Sequence, residues 1–161
     1  MITEGSGVCV HADWGLLKGA SAGFTGTRHF ITALQRETLM LFLCEVDIRE
    51  IHYGDCTGAD YEMFMLATSF EVKTVCHPPD KNAYRMFTAG SVIRPVKPYL
   101  ARNYDIVSES DFLVAVPRES REPADHRGSG TWTTVGYARS SHRTVAVVFP
   151  DGRVDIQPPG W

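Results

Sequence analysis

Apolar positions along the chain alternate between two patterns. Short β-branched runs read as buried strands, and segments with apolar residues three or four apart read as helices. Residues 21–24 are a poor strand by propensity and are read as one because of the turn that follows. Phe30, Ile31, Leu34 and Leu41 keep helical spacing up to about Glu45. Residues 48–53 read as a second strand. Ala59, Met63, Leu66, Ala67 and Phe70 then share one helical face. Residues 72–76 form a third strand. The stretch 77–98 carries Pro78, Pro79, Pro95 and Pro98 and reads as a long loop, of the kind that is often functional. A helix over 99–108, a strand over 112–116 stopped by Pro117, a helix from Gly130 to about Arg139 and a strand over 144–149 complete the series.

Strands alternating with helices imply βαβ crossovers. The expected fold is α/β, a Rossmann-like three-layer sandwich with a mostly parallel central sheet of about five strands. Residues 21–152 would form this domain. Residues 1–20 read as an extension of unclear structure in which Val8-Cys9-Val10 could be a short strand, and 153–161 as an irregular tail. Thr57 and Asp60 have capping-box-like spacing at the start of the second helix.

A chain of 161 residues with 43% hydrophobic and 22% charged residues suits one domain with a substantial core. The net charge of −3 gives no overall pull toward nucleic acid or an anionic membrane, so neither is expected as a partner. No apolar run reaches membrane-span length and no signal-peptide pattern opens the chain, which implies a cytoplasmic protein. Cys9, Cys44, Cys56 and Cys76 contain no C-x-x-C pair. They read as reduced thiols, with Cys44 and Cys76 buried in apolar stretches and Cys56, in a turn, the one to test for reactivity. No histidine pair has metal spacing and His52 reads as structural. Neither a metal nor a cofactor is expected.

Three polar, glycine-containing turns fall at the carboxyl ends of strands, where ligands of open α/β sheets bind. In the first, Gly23-Phe24-Thr25-Gly26-Thr27-Arg28, Gly26 lets an anion approach, Thr25 and Thr27 offer hydroxyls, and Arg28 can fork onto a phosphate. The second runs from Gly54 and Asp55 through Gly58 to Asp60. Its carboxylates suit sugar hydroxyls, although Asp60 could equally support the helix N-terminus. The third, Arg127-Gly128-Ser129-Gly130-Thr131-Trp132-Thr133-Thr134, is the more specific anion cradle. Trp132 there either stacks on a base or, more commonly, fills the helix–sheet interface. Arg102 and Asn103 lie near a helix N-terminus, where Arg102 could clamp a phosphate.

Taken in order, these turns, with Pro78-Pro79, Arg102-Asn103 and Asp111, resemble the SLOG superfamily, the Rossmann-like group of Smf/DprA and Lonely-guy proteins. The resemblance covers about residues 21–152. It implies a nucleotide or nucleotide-sugar pocket formed by Gly23, Thr25, Gly26, Thr27, Arg28, Gly54, Asp55, Gly58, Asp60, Arg102, Asn103, Ser129, Gly130, Thr131, Trp132 and Thr134. It also implies a homo-oligomer. The Lonely-guy phosphoribohydrolases carry P-G-G-x-G-T-x-x-E. Here Gly130-Thr131 matches G-T, His126-Arg127-Gly128 replaces the preceding Pro-Gly-Gly, and Thr134 stands in place of the catalytic Glu. Cleavage of an N-glycoside would then fall to Asp60, Glu119 or Glu122. The first expectation is therefore a sensor, carrier or sequestering protein for a nucleotide-derived small molecule. A nucleoside 5′-monophosphate N-glycosidase comes second, and a DprA-like single-stranded DNA-binding module third.

Overall fold

The computed structural model describes residues 12–159. Seven strands form one sheet in the order β4-β3-β2-β1-β5-β6-β7. These are β1 Ser21–Gly26, β2 Glu50–Tyr53, β3 Lys73–Cys76, β4 Val92–Ile93, β5 Phe112–Val116, β6 Thr144–Val148 and β7 Val154–Gln157. All pairings are parallel except the antiparallel β6–β7 pair. The helices are α1 Ala33–Glu45, α2 Ala59–Ser69, α3 Tyr99–Ser108 and α4 Gly130–Ser140.

The fold is the α/β Rossmann-like sandwich expected, with two strands more than the sequence suggested. β4 is only two residues long, inside the proline-rich loop, too short to leave a periodic signal. β7 forms in the stretch read as an irregular tail. Its Val154 and Ile156 pack on the core, a period-2 pattern hidden among Gly and Pro. Of the N-terminal extension, residues 12–20 belong to the domain: Trp14 and Leu17 are buried, and Trp14 meets Phe42 at 5.5 Å between ring centroids. The suggested strand at Val8-Cys9-Val10 lies outside the described residues, as does Cys9.

Two apolar layers flank the sheet. Phe24, Ile51, Tyr53, Phe112, Val114 and Val116 point toward Leu39, Phe42 and Met63 of α1 and α2. Leu113, Ala115, Val145 and Val147 point toward Val107 of α3 and Trp132 and Val135 of α4. That alternation along β5 is the period-2 signature of a strand buried on both faces.

The rim at the strands' carboxyl ends is tied together by α1. Thr32 caps the helix, and the reciprocal Thr32–Gln35 bonds complete a capping box. The Gln35 amide donates to the carbonyls of Pro117 at 2.8 Å and Val148 at 3.0 Å. One buried side chain thus fixes where the chain leaves β5 and β6. The second helix begins differently from expectation. Its N-cap is Gly58 with no side-chain cap, and Asp60 instead accepts from the Cys56 N–H at 3.2 Å.

No helix among the described residues is long and apolar enough to cross a membrane. Cys44 is exposed, correcting its expected burial, because it falls on the solvent side of α1. Cys56 and Cys76 are buried free thiols.

Candidate functional site

β1 and β5 lie side by side, and the chain runs outward from them in opposite directions, so the sheet's topological switch point lies between them. A cavity of about 640 Å³ opens there. Gly26, Thr27, Arg28 and His29 follow β1 on one side. Arg118 and Glu119 follow β5, and Gly128, Ser129, Gly130 and Thr131 open α4 on the other. Tyr99 and Leu100, at the start of α3, complete the wall.

Each lining group is held by its neighbours. The Thr27 N–H donates to the Val116 carbonyl at 3.0 Å, locking the first turn to β5. The Arg28 guanidinium lies between two rings, 4.5 Å from the Tyr84 centroid and 4.7 Å from that of Tyr99. Aromatic faces position a cation without neutralising it. Arg118 donates to His29 Nε2 at 3.0 Å. Neither Arg28 nor Arg118 has a carboxylate partner among the described residues. Ser129 caps α4 by accepting from the Trp132 N–H at 3.2 Å. The Gly130 and Thr131 amides of the helix's first turn have no acceptor of their own within the helix, and the positive end of its dipole faces the same opening. Gly130 is required because a Cβ there would run into the Tyr99 ring. Glu119 is the cavity's one carboxylate, and it accepts from Trp132 Nε1 at 3.2 Å. The chemistry of the cavity is therefore that of an anion receptor: two guanidiniums, a helix N-terminus and several hydroxyls against one acid.

Of the residues singled out in the sequence, Gly26, Thr27, Arg28, Gly128, Ser129, Gly130, Thr131, Thr133 and Glu119 line this cavity together. The others lie outside the lining and serve the framework. Gly23 admits α3, since a Cβ there would press on Ser110 and Ile106. Thr25 is buried on β1. Gly54 makes room for Arg102, which donates to the Gly54 carbonyl and to that of His77 at 3.1 Å. Asp55, at φ 60°, accepts from Arg85 at 3.0 Å and from the Thr88 N–H at 2.9 Å, pinning the long loop. Gly58, at φ 84°, lies against the backbone of residues 27–29. Asn103 is buried, and its Nδ2, like Arg102 Nε, has no hydrogen-bond partner among the described residues. Trp132 is 1% exposed and fills the layer between α4 and the sheet, the commoner of its two readings. Thr134 donates to the Gly130 carbonyl at 2.7 Å.

The three candidate acids separate in the same way. Glu122 is taken up by Arg139, at 2.6 and 3.0 Å, and by His126 at 2.8 Å. Asp60 is buried beneath the second turn, where burial pushes its carboxyl up to about 6 against the opposing pull of Arg102. Only Glu119 faces the cavity. Cys56 is no activated nucleophile, because burial and then the Asp60 charge push its thiol up.

Sequence reasoning missed Tyr84, Tyr99, His29 and Arg118. Arg118 carried a usable signal, since it follows the proline that ends a strand. Tyr84 and Tyr99 carried none, because their role depends on where the long loop and α3 come to rest.

No family model matches the chain, and no curated protein matches it. Solved structures do. DNA processing protein A (DprA) from Streptococcus pneumoniae superposes with a TM-score of 0.60 at 17% identity, over 82% of this chain and 51% of that one. DprA from Helicobacter pylori, in a structure describing its single-stranded DNA binding mode, gives 0.57 at 18% identity over 86% and 69%. The chain spans about half the length of the Streptococcus protein. The expectation that nucleic acid is no partner is overturned by this likeness to a single-stranded DNA-binding protein. Its physical error was to judge by net charge, which says nothing about two guanidiniums, without carboxylate partners among the described residues, gathered at one rim. With its three layers, its switch point between β1 and β5 and the glycine turns at that rim, the chain carries a Rossmann-like fold similar to that of the two DprA structures.

Proposed function

We propose that the chain binds the phosphate of a nucleotide in the cavity between β1 and β5. The carrying observation is the meeting of Arg28, held between two tyrosines, with the N-terminus of α4 across one opening of nucleotide-sized volume. Arg28 and Arg118 take the phosphate charge, the first-turn amides of α4 take its oxygens, and the Ser129, Thr131 and Thr133 hydroxyls reach the sugar.

A second reading, in which the nucleotide unit belongs to single-stranded DNA, is favoured by the Helicobacter pylori neighbour. It is also supported by Phe30, 94% exposed directly after the cavity residue His29, which offers a face for a base to stack on. Hydrolysis of a glycosidic bond in this cavity would have to use Glu119.

Calorimetry with nucleoside monophosphates, and anisotropy with a labelled single-stranded oligonucleotide at two salt concentrations, tests the proposal. Binding of either that is lost in Arg28→Ala supports it, and a salt-steep preference for the oligonucleotide selects the second reading. Absence of binding to both overturns it.

A further inference from the structure

The geometry points to a divalent-cation site of the zinc class formed by His52, His77 and Glu109, on the β2–β3 half of the sheet and separate from the cavity. Ile51 and Tyr53 face α1 and α2, so alternation along β2 turns His52 to the opposite face. His77 follows β3, next to β2 in the sheet, and Glu109 follows α3. Three segments distant in sequence thus bring three donor groups to one point. That is why the 25-residue separation of the two histidines hid them from a spacing search.

The ligand atoms already stand at coordination distances. His52 Nδ1 is 2.8 Å from His77 Nε2 and 3.7 Å from Glu109 Oε2, and His77 Nε2 is 3.2 Å from the same oxygen. A circle through points so spaced has a radius of about 1.9 Å, so an ion at zinc's usual bond length of about 2.0–2.1 Å from all three sits just off their plane.

Neighbouring groups aim the ligands. Glu50 Oε1 lies 2.9 Å from His52 Nε2. A carboxylate only accepts, so Nε2 carries the proton and the Nδ1 lone pair faces the cluster, the usual carboxylate–histidine arrangement behind a metal. Arg94 holds the other oxygen of Glu109 at 3.3 Å, leaving Oε2 free. One proton on His77 Nε2 can bridge the two rings; an ion takes its place when that proton moves to His77 Nδ1. Two imidazoles and a carboxylate suit Zn²⁺, Co²⁺ or Ni²⁺ better than Mg²⁺ or Ca²⁺.

The test uses the full chain stripped with a chelator and titrated with Zn²⁺ or Co²⁺ alone. One ion per chain is expected, with a higher unfolding temperature and the visible band of low-coordinate Co²⁺. Glu109→Gln, at a half-exposed position that leaves the buried pair intact, should weaken binding by about 10-fold or more, and His77→Gln should remove the band. No retained ion overturns the site. Equal affinity in wild type and Glu109→Gln overturns it too, whether or not His77→Gln folds.

Discussion

The N–H of Ala59, the first residue of α2, donates to the carbonyl of Thr27 at 2.9 Å. This bond joins the glycine turn after β1 to the one after β2. The second turn therefore acts on the cavity through the backbone of the first, without lining it. Gly58 sits at the junction, at φ 84°, and a Cβ there would meet the backbone of Thr27, Arg28 and His29. Gly58→Ala should cost about 1–3 kcal/mol of stability, from the left-handed backbone and the displaced turn together. It should also weaken nucleotide binding although position 58 touches no ligand. Urea unfolding and calorimetry on the same variant check both parts.

Arg28→Ala should weaken binding by about 1.5–3 kcal/mol, the usual loss for a charged hydrogen bond. Arg28→Lys should recover only part of that. A lysine keeps the charge but loses the planar fork and the stacking between Tyr84 and Tyr99. Calorimetric titration of the two variants separates charge from geometry.

Much of this architecture was legible in the chain. The βαβ order, the helix over 99–108 and the three rim turns follow from periodicity and glycine placement, but the face of α1 was misread: Phe30, Leu34 and Leu41 are exposed, and Gln35, Thr38, Leu39, Phe42 and Leu43 are buried. The division of labour within the turns was not legible. Asp55, Arg102 and Trp132 look like ligand groups in the sequence, yet each is taken up by partners away from its own turn: Arg85, the Gly54 carbonyl and the β5–β6 face of the sheet. A polar residue in a turn can serve a ligand or the fold, and only the tertiary neighbours decide between them. The histidine pair was missed for the same reason.

Asp60 should give stability a pH signature. Its folded carboxyl is raised from an ordinary 3.8 to about 6, so the native state binds more protons than the unfolded chain in that window. Asp60's contribution is then present below 3.8 and lost as pH rises through about 6. The stability of Asp60→Asn minus that of wild type should therefore become more favourable to the variant across this range. Denaturant unfolding at a series of pH values measures it, and the comparison cancels the other titrating groups.

Any glycosidase activity must pass through Glu119, the one acid that lines the cavity. Release of free base from a nucleoside monophosphate should stop in Glu119→Gln and persist in Glu122→Gln, because Glu122 is held by Arg139 and His126. Chromatographic assay of the base decides this.

The central claim is that the turn after β1 and the N-terminus of α4 grip one anion. Backbone amide NMR during titration with a nucleoside monophosphate tests it most directly. Saturable shifts concentrated at Gly26, Thr27 and Arg28 together with Ser129, Gly130 and Thr131 are the predicted result. Shifts confined to one of the two segments, or lying elsewhere on the sheet, would contradict it.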